Sequence, residues 1–278
     1  MTLIIQIQAF SDSTDRGNGA TVVWCGEKQP SEDCCQRLAS QLRQSETAFL
    51  WLINKAIYIR WFTPICEVNI CGHATLAAVL ALGQWKQLKA KDSVQLISRG
   101  GALPVSWRQE NKRLIGQIVL PSAPLQPIGV KSTSLEEQLG CELKRIWSSE
   151  IGYFVVLLSE KNQLSELIIS PSKLQDPFRR GLVVMQANRD STLSVDSQVV
   201  DYQLRFFAPG LGIDEDPVTG SAHALVANYW MNTLGRDWVI GWQPSQSSGG
   251  MRCERAGSGM IRLIGSGCVL WRGELESF

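Results

Sequence analysis

Two glycine-led helix starts are the places where residue type and spacing first suggest chemistry. Gly72-His73 and Gly220-Ser221 each open a long apolar run. The first turn of a helix leaves N–H groups without partners and carries the positive end of the dipole, so it can bind an anion without Lys or Arg. We therefore expect the amides at Gly72 and Gly220, with the hydroxyl of Ser221, to bind a small carboxylate. The alternative is that Gly and Ser simply begin two helices.

An acidic run lies just ahead of the second helix start. It reads Asp214-Glu215-Asp216-Pro217, and Pro217 restricts the backbone of Asp216 to an extended conformation. Carboxylates beside an anion site require a cation, either protonated His73 or a substrate amine. We assign that partner role to Asp216 and expect Asp214 and Glu215 to be solvated. The alternative is an exposed acidic turn.

The two helix starts belong to an internal repeat. Arg60-Trp-Phe-Thr-Pro precedes the first and Arg205-Phe-Phe-Ala-Pro precedes the second. A Gly-Gly pair follows each helix glycine after 28 and 29 residues, at positions 100 and 249. The shared order and spacing favour a duplication over chance. Two lobes related by a pseudo-twofold axis would direct both helix starts into one cleft.

The coarse pattern of the chain predicts an α+β fold. Short β-branched and aromatic runs indicate strands, with a turn at residues 17–19. Helices are expected over 31–42, where Ser31 is the cap, over 73–84, and from 221 to about 234. The last two are apolar nearly all round, so each should be the buried centre of a strongly bent sheet or barrel. The Pro-rich residues 121–127 separate an N-terminal lobe, 1–120 plus the last strand at about 265–278, from a C-terminal lobe, 121–264.

Composition excludes several classes of protein. The 278 residues are 44% hydrophobic and 19% charged, with a net charge of +1. This balance argues against nucleic-acid binding and against a polybasic membrane-surface protein. The longest apolar stretch, 68–85, contains polar residues and suits a buried helix better than a membrane span. Eight cysteines without a CxxC pair, two histidines and no export signal predict reduced thiols, no metal site and a cytoplasmic location.

Several segments resemble a known family, and the resemblance spans nearly the whole chain. They are Glu46-Thr47-Ala48-Phe49, the run RWFTPICEVNICGHATLAA at 60–78, DEDPVTGSAH at 214–223, and the opening AFSDSTDRGNGATVV. These are similar to the phenazine-biosynthesis isomerase-like (PhzF) family, which has the diaminopimelate epimerase fold. Two departures from its motifs are Gly19, where Pro is usual, and Ser248 before Gly-Gly, where Arg is usual.

The resemblance implies a cofactor-independent isomerase with its active site between two lobes, working as a homodimer. It makes Glu46 the residue that shuttles a proton on a small carboxylate-bearing substrate. It adds His73 and Asp216 as catalytic partners and Asn18 and Ser221 as substrate-binding residues. Apolar neighbours such as Phe49 are expected to raise the pKa of Glu46 toward neutrality.

Two other functions remain open from the sequence. One is a two-base racemase of the same fold with a thiol at each helix start. Cys71 stands at such a place, but its counterpart is Thr219, so Cys71 is interpreted as structural. The other is a non-catalytic small-molecule binder, which has no need of a proton-shuttling Glu46. His223, inside the second helix, is interpreted as a packing residue.

Overall fold

The computed structural model describes residues 2–129, 133–257 and 259–276. The chain forms two compact units: unit 1 comprises Met1–Leu120 and Arg262–Phe278, and unit 2 comprises Pro121–Ile261. None of the helices in the described part of the chain is long and apolar enough to cross a membrane.

Nineteen strands are described. In chain order they are β1 (Thr2–Ala9), β2 (Asn18–Trp24), β3 (Glu46–Ile53), β4 (Ala56–Phe62), β5 (Glu67–Val68), β6 (Ser93–Ser98), β7 (Gly101–Glu110), β8 (Arg113–Pro121), β9 (Gln126–Pro127), β10 (Leu143–Ser148), β11 (Phe154–Leu158), β12 (Leu182–Ala187), β13 (Ser194–Val195), β14 (Gln198–Val199), β15 (Tyr202–Ala208), β16 (Ile213–Asp216), β17 (Trp238–Gln243), β18 (Gly249–Arg255) and β19 (Met260–Leu275).

The described helices are fewer. The α-helices are α1 (Glu32–Leu42), α2 (Gly72–Gln84), α3 (Thr133–Leu139) and α4 (Gly220–Leu234), and short 3-10 turns cover Leu164–Glu166, Pro171–Lys173, Phe178–Arg180 and Pro209–Leu211. Ser31 caps α1, as the sequence predicts. Both α2 and α4 begin at their glycine, one residue earlier than predicted.

Unit 1 is a closed barrel of eight strands around α2. Its order is β1-β2-β3-β4-β6-β7-β8-β19, and β19 returns to pair with β1. The β2–β3 and β4–β6 pairs are parallel. Every residue of α2 from His73 to Gly83 is buried, because the helix is apolar on all faces and strands surround it. Close approach is possible where glycine faces the helix: a Cβ on Gly116 would come within 2.5 Å of Leu76.

Unit 2 repeats the same order of pairings. Strands β11–β12 are parallel, β12–β15 antiparallel, β15–β17 parallel and β17–β18 antiparallel, as are β2–β3, β3–β4, β4–β6 and β6–β7 in turn. Helix α4 follows β16 as α2 follows β5, and it packs on β15, β17 and β18. The α+β fold with a bent sheet around a central helix in each half is therefore confirmed.

One local prediction was wrong. The predicted turn at residues 17–19 is shorter, because Asn18 and Gly19 already belong to β2 and pair with β1. Of these three residues only Gly17 lies in the connection, with φ at 84°, a left-handed value that favours glycine.

Candidate active site

A buried carboxylate and a buried imidazole meet in unit 1. Glu46 is the first residue of β3 and His73 the second residue of α2. Phe49 packs in the cluster with α1, so strand alternation directs Glu46 to the opposite face, toward α2. His73 Nε2 lies 3.0 Å from Glu46 Oε2, and the two side chains are only 6% and 12% exposed.

The other ring nitrogen of His73 is held by β2. The side-chain amide of Asn18 lies 3.1 Å from His73 Nδ1, and it accepts through its oxygen when that nitrogen is protonated. Asn18 reaches this place because β2 runs parallel to β3, with Ala20 opposite Glu46. Asn18 is itself 2% exposed. The structure therefore brings together four of the predicted site residues: Asn18, Glu46, Gly72 and His73.

Burial and charge act in opposite directions on the Glu46–His73 pair. Burial favours the neutral form of Glu46, but the charge of His73 and hydrogen bonds from His73, Ser45 and Cys71 together outweigh it and hold the pKa of Glu46 below its ordinary value. Burial also opposes the charged form of His73, yet the hydrogen bond to the sulfur of Cys71 and the carboxylate of Glu46 raise the pKa of His73 well above 6.5. The expectation of a raised Glu46 pKa was wrong, because the sequence did not show that a cation faces it.

Two further side chains touch His73. Ser45 Oγ lies 3.2 Å from Nε2 and also donates to the carbonyl of Gly19 at 3.3 Å. Cys71 Sγ lies 3.5 Å from Nδ1. Sequence reasoning missed Ser45, although it adjoins Glu46, and treated Cys71 as structural. Burial raises the pKa of the Cys71 thiol, so this thiol is neutral near pH 7 and Glu46 supplies the negative charge opposite the imidazolium.

Glu46, Cys71 and His73 are also residue types that bind metals. One ligand atom from each lies within 4.8 Å of the others, the only such group of three in the described ranges. A metal ion would require a thiolate and a neutral imidazole. Burial disfavours the thiolate, and the Glu46 carboxylate favours the imidazolium. A metal ion here would therefore have to displace a proton from both the Cys71 thiol and the His73 imidazolium.

The start of α2 is built differently from the start of α1. In α1, the hydroxyl of Ser31 accepts a hydrogen bond from the amide of Cys34 at 3.2 Å. No described side chain makes such a cap at Cys71, the residue before α2. The amides from Gly72 onward can therefore bind an anion beside His73.

The remaining predicted site residues lie in unit 2, at the start of α4. Asp216 ends β16, and its Oδ2 accepts a hydrogen bond from the Thr219 hydroxyl at 2.5 Å. Gln243 on β17 donates to the backbone carbonyl of Asp216 and accepts from the amide of Thr219 at 2.9 Å. Gly220 is buried and Ser221 half-buried. Gln243 carried no signal in the sequence, because only the β15–β17 pairing brings it here.

Comparison with known proteins identifies the family of this chain. Residues 7–258 match the family described as phenazine biosynthesis-like protein, PhzC-PhzF. The chain belongs to this family. An uncharacterized isomerase of Halalkalibacterium halodurans is 32% identical, covering 99% of this chain and 98% of that protein.

Solved structures share the fold of this PhzC-PhzF chain. A PhzF family protein of Enterococcus faecalis has a TM-score of 0.86 at 26% identity, over 99% of both chains. A Pseudomonas aeruginosa protein described as a predicted epimerase has a TM-score of 0.75 at 17% identity, over 100% of both chains. These similarities confirm the resemblance and the epimerase-type fold inferred from the sequence.

The structure accounts for one departure from the PhzF motif and corrects one further expectation. A Cβ on Gly19 would come 2.9 Å from Gln8 Oε1, so the Gln8 side chain covers the position where Pro is usual. Glu215 is not solvated as expected: Arg205 holds it with two hydrogen bonds of 2.7 and 2.8 Å. His223 is fully buried with Nδ1 2.8 Å from the Tyr202 hydroxyl, which suits a packing residue.

Proposed function

We propose that this PhzC-PhzF family member is an isomerase that moves a proton on a small carboxylate-bearing substrate, with Glu46 as the single acid–base residue. The observation that carries the proposal is the buried 3.0 Å contact between Glu46 and His73 beside the uncapped start of α2. The scheme needs no cofactor, because one side chain both takes the proton and returns it.

The charges of the pair suit both halves of such a reaction. With its pKa lowered, Glu46 is a carboxylate at neutral pH and ready to accept a proton. The imidazolium of His73 then favours the return of that proton to the substrate, because it restores the ion pair. Negative charge that develops on the substrate is stabilised by this imidazolium and by the amides that begin α2. General acid–base catalysis contributes typically ~10²–10⁴ in rate.

The cluster geometry favours proton transfer on one face of the substrate over a two-base mechanism. A racemase with two bases needs an acid and a base on opposite sides of one carbon, roughly 6–7 Å apart if each approaches to about 3–3.5 Å. The ligand atoms of Glu46, Cys71 and His73 lie within 4.8 Å of one another. Cys71 therefore lies too near Glu46 to act from the opposite face, and Thr219, its counterpart in the repeat, has no thiol.

The test is deuterium uptake by candidate small carboxylates in D₂O. The Glu46→Gln variant should lose exchange at the substrate carbon by roughly 10²–10⁴-fold. Glu27→Gln is the matched control, because Glu27 is an exposed acid of the same unit, outside the site. Its exchange rate should equal that of the unaltered protein.

Two outcomes count against the proposal. If Glu46→Gln exchanges as fast as the control, another group is the base. If carboxylates bind saturably and none exchanges, the chain is a small-molecule binder, which is the alternative function.

A further inference from the structure

Each central helix is preceded by a segment that hydrophobic burial does not fix. No residue of 63–70, between β4 and the start of α2, is buried. The same holds for residues 209–217, between β15 and the start of α4. Each segment is instead held by polar interactions, which are the backbone pairing of β5 with β4 and of β16 with β15, and side-chain contacts.

An arginine–glutamate pair occupies each segment. In unit 1, Arg60 Nε and Nη2 donate to the two carboxylate oxygens of Glu67 at 2.6 and 2.5 Å. In unit 2, Arg205 makes the same two-pronged contact with Glu215 at 2.7 and 2.8 Å. Such paired charged hydrogen bonds are both strong and directional.

The two pairs occupy equivalent places in the repeat. Each arginine lies on the strand before the segment, and each glutamate stands five residues before the helix glycine. Each guanidinium also lies 5.0 Å from the ring of the phenylalanine two residues further on, Phe62 or Phe207. The duplication has therefore kept both the pair and its geometry.

Unit 1 adds a second layer to its pair. Glu32 at the start of α1 accepts from Arg60 at 2.8 Å and from Arg99 at 2.9 Å, and Arg99 also pairs with Glu67. The following Gly100 comes close to the Asn69 carbonyl, which a Cβ there would approach to 3.5 Å. The segment that leads to Cys71 and His73 is thus held from two sides.

We propose that Arg60 and Glu67 are positioning residues, which hold the start of α2 so that His73 stays in contact with Glu46. They act through His73 and do not touch the substrate. The functional meaning rests on the proposed role of Glu46. The positional claim itself is tested without any substrate.

The readout is the pKa of His73, followed by NMR of the two imidazole rings in the chain. The charge-neutral double variant Arg60→Gln, Glu67→Gln removes the pair without changing the net charge near the site. If the pair positions His73, the imidazole loses part of its contact with Glu46, and its pKa should fall by about one unit or more toward 6.5. The matched control, Arg205→Gln with Glu215→Gln, alters the equivalent pair in unit 2 and should leave the pKa of His73 unchanged.

Single variants separate positioning from long-range charge. Arg60→Gln alone removes a positive charge, which by field effect would raise the pKa of His73, whereas loss of positioning lowers it. Arg60→Lys keeps the charge but cannot make the two-pronged contact with Glu67, so we expect a smaller fall in the pKa of His73. This variant replaces the double variant if the latter does not fold. An unchanged pKa in the double variant with lower stability, or a rise in Arg60→Gln, would overturn the proposal.

The acid–base role of Glu46 and the positioning role of Arg60 and Glu67 can be disproved independently. If Glu46→Gln retains exchange while the double variant still shifts the pKa of His73, the proposed function is wrong and the positioning role stands. If exchange depends on Glu46 while the pKa of His73 does not depend on Arg60 and Glu67, the reverse holds.

Discussion

The two histidines respond to burial in opposite ways, and His223 gives the sharper stability prediction. Its ring is fully buried, and no described group partners its Nε2. Burial without a counter-charge lowers its pKa from 6.5 to about 3. Between those values the unfolded chain binds one proton more than the folded chain, so stability falls as pH falls. The full loss is about 5 kcal/mol, from about 1.36 kcal/mol per unit of pKa.

The assay is urea unfolding at pH 7 and pH 4, compared between the unaltered protein and His223→Asn. Asparagine keeps a polar atom for the Tyr202 hydroxyl but does not titrate. Carboxylates titrate in both proteins, so the difference between them isolates His223. We expect the unaltered protein to lose about 3 kcal/mol more than the variant between pH 7 and 4. Equal losses would refute the reasoning, as would a folded-state His223 signal that titrates near pH 6.5.

His73 should act in the other direction. Its folded-state pKa is raised, so its contribution to stability is present below 6.5 and is lost as pH rises through the folded-state pKa. Removal of Glu46 removes the part of this dependence that comes from its carboxylate. As pH rises above 7, the free energy of unfolding of Glu46→Gln should therefore change less than that of the unaltered protein. Identical changes in the two proteins would contradict the Glu46–His73 ion pair.

Three further substitutions test the site and its support. Asn18→Asp places a carboxylate about where the Asn18 amide lies, 3.1 Å from His73 Nδ1, so the pKa of His73 measured by NMR should rise further. A lower pKa would contradict the contact. Cys71→Ala should slow deuterium exchange by less than about tenfold, because a neutral thiol is not the base; a 10²-fold loss would give the thiol a chemical role. Gly83→Ala would bring a Cβ to 2.3 Å from the Trp107 ring, so urea unfolding should show a loss of about 1–3 kcal/mol in the free energy of unfolding. An unchanged free energy of unfolding would show that the ring moves freely.

The sequence predicted the elements whose signals are local. A glycine followed by an apolar run indicates the helices that begin at Gly72 and Gly220, and Ser31 followed by two acids indicates α1. Strand β19 begins at Met260, earlier than the predicted last strand at about 265–278, and runs through Gly265 and Gly267 without a break. Both glycines lie where a Cβ would strike Phe10 or Leu80, so close packing requires them.

What the sequence could not predict depends on pairing between distant residues. The charge state of Glu46 is set by His73, 27 positions later, and Gln243 reaches the start of α4 only through the β15–β17 pairing. Glu215 was expected to be solvated, because its partner Arg205 is ten residues upstream on another strand. Residue type identifies candidate groups, but the partners that set their protonation come from the topology.

The barrel of unit 1 has a consequence for how the protein is made. Its first strand pairs with its last, from Thr2 opposite Leu275 to Ala9 opposite Gly267, whereas unit 2 is one uninterrupted stretch of chain. During synthesis all of unit 2 emerges from the ribosome before the last strand of the barrel, β19, is complete. The half that carries Glu46 and His73 is thus the last to close, and chains released early by stalled translation lack a finished barrel around that pair.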